Sequence, residues 1–222
     1  MSSLVDSINR VVDHNIKLVV LDDHSSPEAI VDIKTILGKC KFPSEFIPIE
    51  DGTGARHTCF KVYDYVEKYA TDLWYHVEDD YLHYPPAIQD MIDSVDMFEF
   101  NTGNMIAINP HDDIFRYTRQ VYDSIILFGP YRHYRTVKHS TYTCLASRAI
   151  YDKYRNHFQD SAEWITKIGE DETVNKVWQK PDVMMFSPIP TLALHIMDAD
   201  GKDPYIDVDQ LWNSIPKLWQ NN

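Results

Sequence analysis

The sequence predicts an α/β fold, because short apolar strands alternate with amphipathic helices through the first half of the chain. Apolar runs at residues 16–21, 46–49 and 73–77 have the length and continuity of strands that are buried on both faces. Between the last two runs, apolar side chains recur at helical spacing, as they do from Val62 to Val66. Strands that are joined through helices run parallel, so we expect a mainly parallel central sheet with helices on both faces.

The other elements are indicated by caps, breakers and further apolar runs. A first helix is expected from Ser3 to Val12, and a second is expected to begin at the cap Ser26 and to end at Gly38. A third helix is expected over 56–69. In the second half, the expected strands are 105–108, 125–128, 141–145, 183–186 and 192–196, and the expected helices are 147–154, 170–178 and part of 208–219.

The size and charge of the chain argue against several functions. Its 222 residues, of which 44% are hydrophobic, are enough for one large domain with a continuous core. With 21 basic and 34 acidic residues the net charge is −13, which argues against broad binding of nucleic acid or of an anionic membrane surface. No run of about 18 apolar residues occurs and the N-terminus lacks a signal-peptide pattern, so we expect no integral membrane span.

The three cysteines indicate a reducing compartment. Cys40, Cys59 and Cys144 are odd in number and form no CxxC pair. Such a pattern is typical of reduced thiols in the cytosol. We therefore expect a cytoplasmic protein.

Three consecutive carboxylates follow the apolar run at 73–77. Glu78, Asp79 and Asp80 are expected at the carboxyl end of a strand, which is where ligands bind in open α/β sheets. Carboxylate oxygens suit Mg²⁺ and Mn²⁺. The triplet therefore predicts a divalent cation held beside a phosphate, and a solvated acidic turn is the alternative.

A second acidic strand end lies earlier in the chain. Asp22 and Asp23 follow the first apolar run and precede His24 and Ser25. They are expected either to contact a ligand or to form an ordinary strand-to-helix turn, in which Asp and Ser are common.

With these two strand ends placed, the chain resembles the GT-A superfamily of glycosyltransferases, especially family-2-like enzymes. The resemblance covers nearly the whole chain in the order of its elements. It implies a three-layer sandwich with a mostly parallel central sheet, which here lacks the family's usual first strand because the chain opens on a helix. The matching motifs are Asp22-Asp23-His24-Ser25, Gly54-Ala55-Arg56, Glu78-Asp79-Asp80 as a form of the DxD motif, Tyr84-Pro85-Pro86, Gly169-Glu170-Asp171-Glu172 and Leu194-His195-Ile196.

The resemblance also implies roles for the metal and donor residues. Asp80 would bind Mn²⁺ or Mg²⁺ directly, with His195 as the second protein ligand, although Asp198 and Asp200 could compete with His195. Glu78 would act through water or the ribose, and Asp79 would contact the sugar.

The remaining roles concern the nucleotide and the acceptor. Asp22 or Asp23 would bind the base of the nucleotide, and Arg56 would approach the diphosphate. Asp171 would be the catalytic base of an inverting transfer, with Glu170 beside it to bind the acceptor or orient the base. The alternative for Glu170 and Asp171 is a structural role, because acidic residues are favoured in the first turn of any helix.

The resulting hypothesis is a single domain over 1–222 that moves a sugar from a nucleotide-diphosphate donor to a carbohydrate or other hydroxyl acceptor. Residues 1–109 would form the nucleotide-sugar half, and residues 110–222 the acceptor half. The alternatives are a non-catalytic GT-A-like binding protein and a metal-dependent nucleotidyltransferase or phosphohydrolase. The triplet at 111–113, His-Asp-Asp, resembles the His-Asp pair of metal phosphohydrolases but lacks companion histidines at helical spacing.

Overall fold

The computed structural model describes residues 1–119, 122–140, 143–163, 170–196 and 206–217. These residues form a mixed α/β structure with strands in three sheets. Two short 3₁₀ helices span Glu170–Glu172 and Val174–Lys176. In chain order the other elements are α1 (Ser2–Ile8), β1 (Leu18–Asp22), α2 (Pro27–Leu37), β2 (Ser44–Pro48), α3 (Ala55–Tyr69), β3 (Leu73–His76), β4 (Tyr81–His83), α4 (Ala87–Thr102), β5 (Met105–Ile108), α5 (Phe115–Thr118), β6 (Ile126–Phe128), β7 (His133–Val137), β8 (Cys144–Ser147), α6 (Arg148–Glu163), β9 (Val183–Ile189), β10 (Ala193–His195) and α7 (Val208–Ser214).

The first sheet is the parallel pair that the sequence predicts. β1 and β2 run parallel, with Leu18 opposite Ser44 and Asp22 opposite Pro48, and α2 connects them. Ser26 caps α2 by accepting a hydrogen bond from the backbone nitrogen of Ala29 at 3.2 Å. This confirms the expected cap. Because the two strands are parallel, the carboxyl end of β2 lies beside Asp22 at the end of β1.

The largest sheet has six strands in the order β3-β8-β5-β9-β7-β6. Only β5 and β9 pair in parallel, and the other four neighbouring pairs are antiparallel. The prediction of a mainly parallel sheet is therefore not confirmed. β3 and β5 do run in the same direction, as a helical crossover requires, but β8 from the second half lies between them and runs against both.

Helices cover both faces of this sheet, as expected. Ile106 and Ile108 belong to the apolar cluster that includes α1 and α4 residues. Ala107, between them on β5, belongs to the opposite cluster with side chains of α3 and α6. Alternation along one strand thus divides the core into two layers. Because β8 lies between β3 and β5, the two halves expected at 1–109 and 110–222 share this sheet.

The third sheet is a short antiparallel pair, in which β10 confirms the strand expected at 192–196 but β4 is not predicted. β4 pairs with β10, and Tyr81 is opposite His195. β4 has only three residues and follows the acidic triplet directly, so no separate apolar run indicates it. Its pairing brings the end of the triplet to the end of β10.

Two helix predictions are wrong in detail. Ser3 does not cap α1, which begins at Ser2 without a side-chain cap. Instead, the Ser3 hydroxyl accepts a hydrogen bond from the backbone nitrogen of His83 at 3.0 Å. The helix expected at 170–178 is two 3₁₀ helices, because Thr173 between them has φ −120° and ψ −99° and interrupts helical geometry.

Among the helices that the structure describes, none combines the length and the apolar character needed to cross a membrane.

Candidate functional site

The acidic triplet lies in the turn between β3 and β4. Glu78 is partly buried, and its carboxylate accepts a hydrogen bond from Thr143 Oγ1 at 3.1 Å. The Glu78 backbone nitrogen is 3.3 Å from the same hydroxyl oxygen. Burial raises the pKa of Glu78. Asp79 is exposed in the same turn.

Asp80 and His195, the two expected metal ligands, meet across the small sheet. Asp80 Oδ2 is 2.8 Å from His195 Nε2, and the backbone nitrogen of Ile196 donates to the Asp80 carbonyl at 2.9 Å. The His195 ring stacks on Tyr81 with centroids 5.0 Å apart. Pairing of β4 with β10 thus brings together two side chains that are 115 positions apart in the sequence.

The donor set at this contact fits a divalent cation. A carboxylate and an imidazole are both ligands of Mn²⁺. Asp80 Oδ1 is buried and has no hydrogen-bond partner among the described residues, so one ligand atom is left unsatisfied. Three or more His, Cys, Asp or Glu side chains do not already converge at ligand distances in the described part of the chain. A bound ion would therefore replace the Asp80–His195 hydrogen bond.

Asp22 and Asp23 lie at the end of β1 and are engaged in local structure. The buried Asp22 carboxylate accepts from the backbone nitrogen of Ser25 at 3.3 Å. Asp23 Oδ2 accepts from the backbone nitrogen of Gly54 at 2.7 Å, at the start of α3. The contact with His24 first, and then this backbone hydrogen bond, lower the pKa of Asp23. The alternative role in a turn is thus visible in the contacts of both aspartates.

Arg56, expected at the diphosphate, is the second residue of α3 and is exposed. Because Asp23 bonds to Gly54, Arg56 lies close to the end of β1 in this fold. The side chain extends from the first turn of α3, where the backbone nitrogens also favour an anion.

Asp171, the expected base, is exposed and held by two neighbours. Its Oδ1 accepts from Asn175 Nδ2 at 2.9 Å and lies 3.1 Å from His139 Nδ1. The hydrogen bond from Asn175, followed by that from His139, lowers the pKa of Asp171. Glu170 opens the 3₁₀ helix, but its side chain, like Gly169, Asp198 and Asp200, lies outside the described residues.

The segment after β7 connects Asp171 to the acidic triplet. The backbone nitrogen of Ser140 donates to Asn175 Oδ1 at 2.9 Å, and Thr143 bonds to Glu78. Three residues of extended chain span at most about 11 Å, so Ser140 and Thr143 cannot be farther apart than that. Asp171 and Glu78 are therefore linked through Asn175, Ser140 and Thr143.

Residues 111–116, which follow β5 and include the start of α5, add side chains that the sequence-based site lacks. His111 is buried, its Nδ1 is 3.3 Å from the Ala193 carbonyl oxygen, and its ring centroid is 6.4 Å from that of His195. Arg116 reaches the carbonyl oxygen of His139 through Nη2 at 3.4 Å. This segment therefore lies between the two groups around His195 and Asp171. In the sequence, only the His-Asp-Asp triplet at 111–113 pointed to His111 as a site residue. The second histidine, His195, is on β10 and not at helical spacing from His111.

Comparison of the chain with models of known protein families gives no match, and comparison with curated proteins gives no significant match.

Proposed function

We propose that the protein is a metal-dependent glycosyltransferase of GT-A-like fold that moves a sugar from a nucleotide-diphosphate donor to an acceptor hydroxyl. The observation that carries the proposal is the contact of Asp80 with His195, next to the acidic triplet at the end of β3. Such a transfer requires metal ligands for the leaving group and a base for the acceptor hydroxyl, and the candidate base Asp171 is linked to the triplet through Asn175, Ser140 and Thr143.

Asp80 and His195 would hold Mn²⁺ or Mg²⁺. When bound, the ion supplies charge that stabilises the diphosphate leaving group. The buried, unpartnered Asp80 Oδ1 supports this assignment, since among the described residues it has no other acceptor role to fill. Glu78 and Asp79 are assigned to the ribose and sugar of the donor, on the same turn.

Asp171 would accept the proton of the attacking hydroxyl in an inverting transfer. Its two neighbours both contact Oδ1 and fix the orientation of the carboxylate. The pKa of Asp171 is lowered, so its carboxylate is in the ionised form that accepts a proton. Glu170 is assigned to the acceptor by its position beside Asp171.

The donor's nucleotide is assigned to the end of β1. Asp22 and Asp23 would contact the base, and Arg56 the diphosphate. The parallel β1–β2 pair and the contact of Asp23 with Gly54 support this, because they bring the strand end and the start of α3 together. The three cysteines form no disulfide, which supports a cytoplasmic, reducing location.

The test is turnover of a panel of UDP-, GDP- and dTDP-sugars with Mn²⁺ or Mg²⁺, measured as release of the nucleoside diphosphate. Asp171→Asn is expected to lower turnover by about 100-fold or more, as loss of a general base commonly does, and Asp80→Asn is expected to lower turnover because it removes a charged ligand of the metal ion. Asp32→Asn, on the exposed side of α2, is the matched control. Unchanged turnover in both site variants of an active protein would overturn the mechanism. Release of pyrophosphate or inorganic phosphate would instead support a nucleotidyltransferase or phosphohydrolase, and failure to bind any nucleotide would support a binding protein for another ligand.

A further inference from the structure

We propose that His111 is a third protein ligand of the cation held by Asp80 and His195, and that the site therefore selects a transition-metal ion over Mg²⁺. The inference rests on the proposed function, because it extends the same cation site. It adds a residue outside the DxD-type triplet and a preference for one class of metal.

The hydrogen bonding of His111 fixes which ring nitrogen is available. A carbonyl oxygen only accepts, so the Nδ1 that lies 3.3 Å from the Ala193 oxygen carries the proton. The lone pair is then on Nε2, which is buried and has no hydrogen-bond partner among the described residues. An imidazole whose Nδ1–H binds a backbone carbonyl while Nε2 is open is the usual arrangement of a metal-ligating histidine.

The backbone holds His111 against the strand that carries His195. The carbonyl oxygen of Pro110 accepts from the backbone nitrogens of Leu192 and Ala193 at 2.9 and 3.1 Å. Ala193 and His195 are two positions apart on β10 and so face the same side. The His111 ring is 6.4 Å from both His195 and Tyr81, centroid to centroid.

Two buried ligand atoms, each on a side chain that lies against His195, thus have no hydrogen-bond partner among the described residues. Asp80 Oδ1 is one, and His111 Nε2 is the other. Burial of a polar atom without a partner is unfavourable, and a cation between His111, Asp80 and His195 would satisfy both atoms. Since the three side chains do not yet converge at ligand distance, binding requires rotation of the Asp80 and His195 side chains away from their mutual hydrogen bond.

The positive charge of Arg116 acts on His111, and a neighbouring carboxylate partly neutralises it. Arg116 Nε lies 3.5 Å from Asp113 Oδ2. The segment that supplies His111 therefore brings a carboxylate together with its guanidinium, and a cation at His111 does not meet an isolated positive charge.

Two imidazoles and one carboxylate would determine which ion binds. Mg²⁺ prefers oxygen ligands and retains several waters, whereas Mn²⁺, Co²⁺ and Zn²⁺ accept imidazole nitrogen. A site with only Asp80 and His195 would discriminate less than one with a second imidazole.

The experiment measures binding of the metal alone by the full, chelator-treated chain. Titration with MnCl₂, CoCl₂, ZnCl₂ and MgCl₂ is followed by calorimetry for wild type, His111→Gln, His195→Gln and the control His133→Gln, an exposed residue of β7. We expect wild type to bind the transition ions at least about tenfold more tightly than Mg²⁺, and His111→Gln to lose about tenfold or more of the Mn²⁺ and Zn²⁺ affinity. His133→Gln should bind as wild type does.

A second measurement needs no substitution. In the ¹⁵N-histidine-labelled wild type, added Zn²⁺ should shift the Nε2 resonances of His111 and His195 together in one saturable step, while Nδ1 of His111 stays protonated. A shift of His195 alone, or equal Mn²⁺ affinity in wild type and folded His111→Gln, would overturn the proposal and leave the proposed function standing. Equal affinity for Mg²⁺ and Mn²⁺, or no binding of any ion, would also overturn it, and nucleotide-sugar turnover would then decide the proposed function separately.

Discussion

Thr143 Oγ1 lies 3.1 Å from the Glu78 carboxylate and 3.3 Å from the Glu78 backbone nitrogen. One fully buried hydroxyl therefore holds the first residue of the acidic triplet through both its side chain and its main chain. The contact continues the pairing of β3 with β8, in which His76 is opposite Cys144. The orientation of the triplet thus depends on a residue from the second half of the chain.

Thr143→Val should destabilise the protein by about 1–3 kcal/mol, because it leaves the Glu78 backbone nitrogen and carboxylate without this hydrogen bond at nearly constant volume. Thr143→Ser keeps the hydroxyl and should cost less. The measurement is the free energy of unfolding in urea for the two variants. A larger loss in Thr143→Ser than in Thr143→Val would show that packing of the methyl group, and not the hydroxyl, stabilises this turn.

Glu78→Gln should remove a pH-dependent loss of stability. Burial raises the pKa of Glu78 above the ordinary value of 4.5, so the folded protein binds this proton more tightly than the unfolded chain. The free energy of unfolding therefore falls as pH rises through the interval above 4.5. In Glu78→Gln that fall should be smaller, and the variant should be more stable than wild type at pH 7. Thermal unfolding from pH 4 to 8 in a chelator is the measurement, and equal pH dependence in both proteins would contradict it.

Tyr134→Phe and Arg132→Met should destabilise the protein to different extents. Asp90 is buried, and it accepts from Tyr134 OH at 2.7 Å and from Arg132 Nε at 2.6 Å. Tyr134→Phe removes a neutral donor and should lower the free energy of unfolding by about 1–2 kcal/mol. Arg132→Met leaves the buried charge of Asp90 uncompensated and should lower it by about 3–5 kcal/mol.

Unfolding in urea measures both effects, and Asp90→Asn in the Arg132→Met background should recover part of the loss. If the double variant is no more stable than Arg132→Met, the cost is due to lost packing and not to the charge.

His139→Ala should move the acid limb of the pH–rate profile to higher pH. Asn175 first and then His139 lower the pKa of Asp171. Removal of the imidazole should let that pKa rise towards its ordinary value, so the base becomes protonated at a higher pH. The measurement is kcat/KM against pH, with His133→Ala as the control. A uniform decrease at every pH would assign His139 to the binding of the acceptor instead.

The sequence predicted well where one local pattern determines the structure. The apolar run before Glu78 is a strand, and Ser26 caps its helix as expected. The wrong expectations depend on distant partners. Serine is a common helix cap, but the hydroxyl of Ser3 instead accepts a hydrogen bond from the backbone nitrogen of His83. Likewise, no local pattern could indicate that β8 inserts between β3 and β5 or that His111 lies against β10, since both depend on pairings formed far along the chain.

The position of β8 between β3 and β5 also has a consequence for the order of folding. During synthesis, β3 and β5 emerge long before the strand that pairs with both of them. Until Cys144–Ser147 has left the ribosome, the two earlier strands have no hydrogen-bonding partner between them, and their apolar side chains stay available for incorrect association. Pairings of such high contact order fold slowly. Thr143 can form its hydrogen bond with Glu78 only after β8 has paired with β3 and β5. The candidate site is therefore among the last parts of the molecule to form.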